Sequence, residues 1–229
     1  MNAGPGLIAA RQQALHIAAG VVTLDADLSL PAAASGLVLF AHGSGSSRFS
    51  PRNRHVAQLL NRVGFATVLT DLLSPQEERL DERTRQLRFD IGLLAERLVA
   101  SIDALRGDGA TAGLAIGLFG ASTGAAAALV AAAQRPGAVH AVVARGGRPD
   151  LAGAALPSVQ SPTLLIVGGD DRQVIALNRQ ALAELRAERQ LRIVPGAGHL
   201  FEEPGALDAV AALTTDWFLR HLRSKPTPP

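Results

Sequence analysis

The chain has 229 residues, of which 48% are hydrophobic and 18% are charged, and its formal net charge is +2. This composition excludes a disordered chain, and the longest apolar runs are too short or too often interrupted by glycine to cross a bilayer. The chain has no cysteine, which excludes disulfides, a thiolate nucleophile and a cysteine-bound metal.

The amino-terminal sequence does not resemble a secretion signal, because no basic start precedes a sustained apolar core. We therefore expect a cytoplasmic protein with no membrane partner. The sequence pI of 10.2 points toward nucleic acid, but the arginines are scattered and aromatic residues make up only 3%. We expect no nucleic-acid partner, and a single domain over residues 1–229 whose tail, from about 224, is disordered.

Strand-like and helix-like segments alternate along the chain. The run 21–31 alternates apolar and polar residues, as a half-buried antiparallel strand does. The segment 36–43, GLVLFAHG, is continuously apolar and is typical of a central parallel strand. Ser50 as N-cap, Pro51 at the first helical position and Gly64 beyond the end then predict a helix.

The later segments continue this alternation. After a strand at 65–73 and a charged stretch from Gln76 to Arg88, a long helix is predicted from apolar residues near helical spacing: Phe89, Leu93, Ile102 and Leu105. Further strands are predicted at 113–120, 140–147, 163–169 and 191–196, and further helices at 123–137, 178–189 and 205–223. The pattern predicts an α/β fold, a mostly parallel sheet with helices on both faces, whose ligands bind at the carboxyl ends of the strands.

A candidate nucleophile lies at such a strand end. Gly120, Ser122 and Gly124 form a G-x-S-x-G pattern where a predicted strand gives way to a predicted helix. In a nucleophile elbow the serine occupies a sharp, strained turn, and the glycines avoid collisions with the neighbouring strand and helix. The pattern predicts that Ser122 is a catalytic nucleophile; the alternative is a serine that only caps the helix.

A serine hydroxyl needs an imidazole base and a carboxylate that orients it, and on this kind of fold they follow the serine in the order acid, then histidine. His199 lies in a glycine-flanked loop just after the last strand, which makes it the candidate base. Asp171 is the preferred acid. Its neighbour Asp170 is the rival, since one of the two could cap the next turn, and Asp150 is a more distant candidate.

An oxyanion hole needs two backbone donors, one of them the amide that follows the nucleophile. Thr123 supplies the first. The loop FAHGSGSS, residues 40–47, follows an earlier strand, and we assign the second donor to Ser44. His42 in this loop is expected to organise it and is a candidate for contact with the substrate.

The segments LVLFAHGSG, GLFGASTGAAAAL, TLLIVGGDDRQV and VPGAGHLFEEPGAL together resemble the alpha/beta-hydrolase superfamily, and within it the dienelactone hydrolase-like group. The resemblance extends from about Val21 to the last helix. It implies an eight-stranded sheet with antiparallel first strand pairs, hydrolysis of esters through an acyl-enzyme, and no metal or other cofactor. True dienelactone hydrolases use a cysteine nucleophile, whereas this chain has Ser122, so dienelactone itself is not the expected substrate.

We therefore predict a serine hydrolase that cleaves a small ester or lactone. Alternatives are an acyltransferase or perhydrolase with the same triad, and a non-catalytic binding protein of this fold.

Only about fifteen residues separate the strands at 140–147 and 163–169, too few for a large cap. Arg145 and Arg148 follow the first of these strands, and Arg145 is the candidate clamp for a substrate carboxylate unless it pairs with Asp150. The sequence does not distinguish a monomer from a homodimer.

Overall fold

The computed structural model describes residues 10–222, so the predicted disordered tail lies outside the described residues. Within this range, eight strands form one sheet in the order β1-β2-β4-β3-β5-β6-β7-β8. Their bounds are β1 Arg11–Ala19, β2 Val22–Leu30, β3 Leu37–Ala41, β4 Ala66–Thr70, β5 Ile116–Ala121, β6 Val139–Arg145, β7 Thr163–Gly168 and β8 Arg189–Val194. The pairs β1–β2 and β2–β4 are antiparallel and all the others are parallel, which confirms the predicted sheet.

Strand β1 is the strand that the sequence pattern missed. It lies at the edge of the sheet and most of its residues are exposed, so the sequence shows no clear apolar alternation. A two-residue turn connects it to β2, and Gly20 in this turn has φ +66°. A left-handed first turn residue matches the twist of a hairpin, and glycine adopts it without strain.

In the described part of the chain, six α-helices cover the sheet: α1 Pro51–Arg62, α2 Pro75–Thr84, α3 Ile91–Gly107, α4 Thr123–Gln134, α5 Arg172–Glu184 and α6 Ala206–His221. Helix α1 begins as predicted, because the Ser50 side chain accepts a hydrogen bond from the Asn53 amide and Pro51 follows the cap. Helix α2 occupies the charged stretch and begins with a capping box between Ser74 and Glu77. Phe89 precedes α3 and is 57% exposed, so the prediction that it belongs to the apolar face of that helix is wrong.

The helices lie on both faces of the sheet. Helices α1 and α6 pack together over one face, where buried aromatic residues such as Phe40, Phe119 and Trp217 form the core. Helices α3 and α4 pack together over the other face, against an aliphatic and alanine-rich core. Strands β3, β4, β5 and β7 are buried along their whole length, as expected for strands covered on both sides.

The connection between β6 and β7 is short, and it contains a 3-10 helix, Pro149–Ser158, that is kinked at Gly153. No room remains there for a helical cap, as the sequence predicted. The carboxyl ends of β3, β5, β6, β7 and β8 lie at one edge of the sheet, because these strands are parallel. The loops that leave this edge carry the residues of the candidate site.

Candidate active site

Ser122 lies between the end of β5 and the first residue of α4. Its backbone has φ 51° and ψ −121°, a conformation that residues with a side chain rarely adopt. The turn is held from outside, because the Ser122 carbonyl accepts a hydrogen bond from the Arg148 amide at 3.0 Å. Strain of this kind persists only where the surroundings enforce it, and it is common at catalytic residues.

The two glycines of the elbow are required by close packing. A Cβ atom at Gly120 would lie 2.5 Å from Cα of Ala125, and one at Gly124 would lie 2.4 Å from the carbonyl oxygens of Ala41 and His42. These neighbours are backbone atoms, which cannot move aside as a side chain can. The G-x-S-x-G pattern therefore arises because the elbow is packed directly against helix α4 and the end of β3.

Asp171 and His199 are joined by a hydrogen bond. The distance between Nδ1 of His199 and Oδ2 of Asp171 is 2.7 Å. The other oxygen of Asp171 accepts from the Val174 amide and caps α5. Capping and orienting were predicted for different aspartates, but Asp171 makes both contacts. Asp170 is exposed, and its amide donates to the Ala197 carbonyl at 3.0 Å.

The loop that carries His199 lies directly against the ends of two strands. A Cβ atom at Gly168, the last residue of β7, would lie 2.3 Å from the Ala197 carbonyl oxygen. A Cβ atom at Gly146, just after β6, would lie 3.0 Å from the His199 carbonyl oxygen. The absence of side chains at these two positions lets the loop approach the edge of the sheet near Ser122.

Ser122 and His199 line the same pocket, which has a volume of about 250 Å³. His199 keeps 40% of its side chain exposed. Among residues 10–222, the side chain of His199 forms a hydrogen bond with Asp171. It forms no hydrogen bond with the Ser122 hydroxyl. Such contacts are often long without substrate and tighten when substrate binds.

The predicted oxyanion donors lie on two sides of Ser122. Thr123 opens α4, so its amide is one of the N–H groups without a partner inside the helix. Ser44 lines the pocket in the loop after β3. Gly43, which sequence reasoning did not single out, lies directly against the serine: a Cβ atom there would lie 3.0 Å from Cβ of Ser122. Its place immediately before Ser44 in the loop was the signal that the sequence offered.

His42 holds this loop in place rather than facing the pocket. Its Nε2 accepts a hydrogen bond from the Leu72 amide at 3.1 Å, so Nδ1 carries the proton and donates to the Gly43 carbonyl at 2.9 Å. Burial lowers the pKa of His42, and this outweighs the raising effects of the Gly43 carbonyl and the Asp71 charge. Both ring nitrogens are used, which supports the loop-organising role over contact with substrate.

The two arginines after β6 have different surroundings. Arg148 forms an ion pair with Asp150 at 2.7 Å, which also removes Asp150 as a candidate partner of His199. Arg145 is 7% exposed and lines the pocket, and its Nε and Nη1 atoms have no hydrogen-bond partner among residues 10–222. Arg52 and Asn53 of α1 line the same pocket. No sequence signal marks these two residues, since they occupy ordinary helix positions.

Between residues 10 and 222 there is no group of three or more histidine, aspartate or glutamate side chains arranged to hold a metal ion. Over the same range, no helix combines the length and the apolar character needed to cross a membrane.

The eight-stranded sheet, with a strained serine turn after its fifth strand, is the architecture of an alpha/beta hydrolase. The family model described as "Dienelactone hydrolase family" matches residues 24–223. The chain therefore belongs to the dienelactone hydrolase family.

Similar proteins agree with this assignment. The crystal structure of a dienelactone hydrolase from Anabaena variabilis is 58% identical, with a TM-score of 0.92, over 93% of this chain and 99% of that chain. Est1E from Butyrivibrio proteoclasticus has a TM-score of 0.75 at 16% identity, over 90% of this chain and 98% of that one, and shows the fold alone.

Two curated relatives from Mycobacterium tuberculosis are each 55% identical over 212 residues, which is 93% of this chain. Each is provisionally named a phosphoribosyl transferase. This chain spans 47% of the length of these relatives.

Proposed function

We propose that this chain is a serine hydrolase that cleaves carboxylic esters or lactones through an acyl-enzyme. The observation that carries the proposal is the 2.7 Å hydrogen bond between His199 and Asp171, at a pocket that Ser122 also lines. The strained backbone of Ser122 is further support. The family assignment makes a hydrolase the expected class.

In the proposed mechanism, Nδ1 of His199 keeps its proton and donates a hydrogen bond to the Asp171 carboxylate, which leaves Nε2 unprotonated as the base. Nε2 takes the Ser122 proton while Oγ bonds to the substrate carbonyl carbon. The bond to the alkoxy oxygen then breaks, and the imidazolium returns the proton to the leaving alcohol. A water molecule then attacks the carbonyl carbon of the acyl-enzyme while His199 takes its proton. The proton returns to Oγ of Ser122 as the ester bond breaks, and the acid is released.

The negative charge on the former carbonyl oxygen needs fixed donors. The Thr123 amide is suited to this role, because it stands at the N-terminus of α4 without a partner in the helix. The second donor is proposed to be the Ser44 amide in the loop after β3. This loop touches the elbow through Gly43, so its donor would lie close to the reacting carbon.

Labelling with a fluorophosphonate tests the nucleophile. Wild type should react covalently and Ser122→Ala should not, whereas Ser46→Ala, which changes another serine of the same pocket, should react as wild type does. Covalent labelling of Ser122→Ala would disprove the assignment. His199→Ala should slow ester hydrolysis by about 10⁶-fold and Asp171→Asn by about 10⁴-fold, and Asp170→Asn should change it little. A larger loss in Asp170→Asn than in Asp171→Asn would reverse the two aspartates.

Two alternatives have their own tests. An acyltransferase or perhydrolase would share the acyl-enzyme but pass the acyl group to an alcohol or to peroxide faster than to water. A non-catalytic binding protein would fail to react with the fluorophosphonate.

The mycobacterial relatives carry a transferase name, but this chain spans only 47% of their length. The family match at 24–223 lies within this chain, so hydrolysis is the activity that we propose for it. A cytoplasmic location, a single domain over residues 1–229 and the choice between monomer and homodimer stay predictions.

A further inference from the structure

Arg145 is a buried cation with unsatisfied hydrogen-bonding atoms. It is 7% exposed, and its Nε and Nη1 atoms are fully buried with no partner among residues 10–222. Burial and the charge of Arg52 lower its pKa to about 10, so the guanidinium is still protonated at neutral pH. The nearest aromatic contact is weak, since the guanidinium carbon lies 5.8 Å from the centre of the Phe201 ring.

Other arginines within residues 10–222 pair with a carboxylate. Arg97 is 8% exposed and its Nε is also unpaired, but it donates to Glu77 at 2.8 Å and to the Ala19 carbonyl. Arg148 forms a bidentate pair with Asp150. A buried charge without a partner is costly, so its presence at a pocket beside Ser122 indicates a position that a ligand fills.

The same wall of the pocket carries further donors. Helix α1 begins there, with Ser50 as its N-cap, and its first turn contains no acidic residue that would offset the positive end of the helix dipole. Arg52 and Asn53 belong to this turn. Arg52 has a buried Nε without a partner in the described chain, while its Nη1 donates to the exposed Glu202 at 3.1 Å. Asn53 has a buried, unpaired Oδ1, and rotation of its amide would present the NH₂ group instead.

We propose that this wall, formed by Arg145, Arg52 and the N-terminus of α1, binds a phosphate monoester group of the substrate. Arg145 alone could saturate the two oxygens of a planar carboxylate in a bidentate pair. The remaining donors would then have no acceptor. A phosphate dianion offers three terminal oxygens in a tetrahedral arrangement, which accept from two guanidinium groups and a helix terminus together.

The inference rests on the proposed function for the identity of the bond that is cleaved. The substrate is an ester or lactone that carries a phosphate on its acyl or alcohol part. Ser122 attacks the carboxylic carbon, the bond to the alkoxy oxygen breaks, and the proton passes through His199 to the leaving alcohol. The phosphate ester bond stays intact and serves only to hold the substrate.

Binding measurements test the phosphate site without turnover. Phenyl phosphate and benzoate are titrated calorimetrically into wild type, Arg145→Met and Arg148→Met, and inorganic phosphate is used as a competitor. Wild type should bind phenyl phosphate at least about 10-fold more tightly than benzoate. Arg145→Met should weaken the binding of phenyl phosphate by about 10- to 100-fold. Arg148→Met is the matched control, since Arg148 is paired with Asp150, and it should bind as wild type does.

The outcomes separate the two proposals. Equal binding of phenyl phosphate by wild type and Arg145→Met would overturn the phosphate site and leave the serine hydrolase proposal standing. Benzoate binding as tightly as phenyl phosphate would overturn the phosphate assignment in favour of a carboxylate site. Phosphate binding that depends on Arg145, in a protein that no fluorophosphonate labels, would support the site and contradict the hydrolase.

Discussion

The pocket beside Ser122 has two walls with opposite character. On one side, the loop His42–Arg48 is tied to the segment after β4: His42 bonds to the Leu72 amide, and the Arg48 amide donates to Asp71 at 2.7 Å. On the other side, the wall of Arg52, Asn53 and Arg145 contains four buried polar atoms without partners in the described chain. The first wall is held by bonds within the protein and has one buried atom without a hydrogen-bond partner among residues 10–222, Nε of Arg48, whereas the second wall depends on a ligand for its partners.

The difference separates two uses of buried polar groups. A loop that is tied to a neighbouring segment holds its backbone donors in fixed positions, which suits an oxyanion hole that must be ready before the reaction starts. An unsatisfied wall lowers the stability of the free protein and gains its hydrogen bonds when substrate binds. Substitutions in the first wall should therefore lower stability, and substitutions in the second should raise it.

The largest effect is expected where the elbow meets the loop. Gly124→Ala would place a Cβ atom 2.4 Å from the carbonyl oxygens of Ala41 and His42, so backbone must move. We expect a loss of about 3 kcal/mol in the free energy of unfolding and a fall in Tm of roughly 6 to 12 °C. Gly137→Ala is the control, because a Cβ atom at Gly137 has no neighbour within 4 Å. Similar melting of the two variants would contradict the packing requirement.

Two arginine substitutions should change stability in opposite directions. Arg88 packs against Gly45 of the loop and donates to Asp81, which is 2% exposed. Arg88→Met removes the Nε donor to that carboxylate, which keeps only backbone N–H donors, and should cost about 2 kcal/mol. Arg145→Met removes an unpaired buried charge and should raise the free energy of unfolding by about 1 kcal/mol, or Tm by roughly 2 to 4 °C.

Thermal melting in phosphate-free buffer checks this pair, since a bound anion would stabilise wild type. A fall in Tm for Arg145→Met would show that the guanidinium supports the fold, and the distinction between the two walls would fail. An unchanged Tm for Arg88→Met would remove the support that the loop is expected to receive from the Asp81 pair.

The smallest effect concerns pH and His42. Because burial lowers the pKa of His42, the unfolded chain takes up a proton below about pH 6.5 that the folded protein excludes. The contribution of His42 to stability is therefore complete above pH 6.5 and is lost as the pH falls through the lowered pKa of the folded state. The stability difference between wild type and His42→Gln should narrow between pH 7.5 and 5.

Urea unfolding at several pH values measures that difference. The contribution of His221, whose pKa burial also lowers, is common to both proteins and cancels. His140→Gln, which changes an exposed histidine of β6, is the control. A difference that stays constant with pH would mean that His42 takes up its proton equally in both states.

The fold could be predicted because its determinants are local. Continuous apolar runs marked β3 and β5, and the Ser50, Pro51 and Gly64 signals marked α1. Strand β1 was missed since an exposed edge strand has no apolar alternation to detect. The eighth strand entered the prediction through the family resemblance.

The candidate site was only partly accessible from the sequence. The spacing around Ser122 and the loop of His199 identified residues whose role depends on local turns. The proximity of Arg52 to Arg145 depends on how α1 packs beside the end of β6, and no sequence spacing encodes that distance. The pairing of Arg148 with Asp150, which leaves Arg145 alone, likewise depends on the path of the backbone after β6.

Position 171 shows how two requirements restrict the choice of amino acid. The N-cap of a helix accepts asparagine, serine or threonine as well as aspartate, and the partner of a triad histidine is aspartate or glutamate. Only aspartate belongs to both sets. Because one side chain caps α5 and bonds to His199, substitutions here that a helix tolerates would disable the proposed base, and the longer glutamate would fray the helix. We therefore expect homologues to vary far less at position 171 than at its exposed neighbour, Asp170.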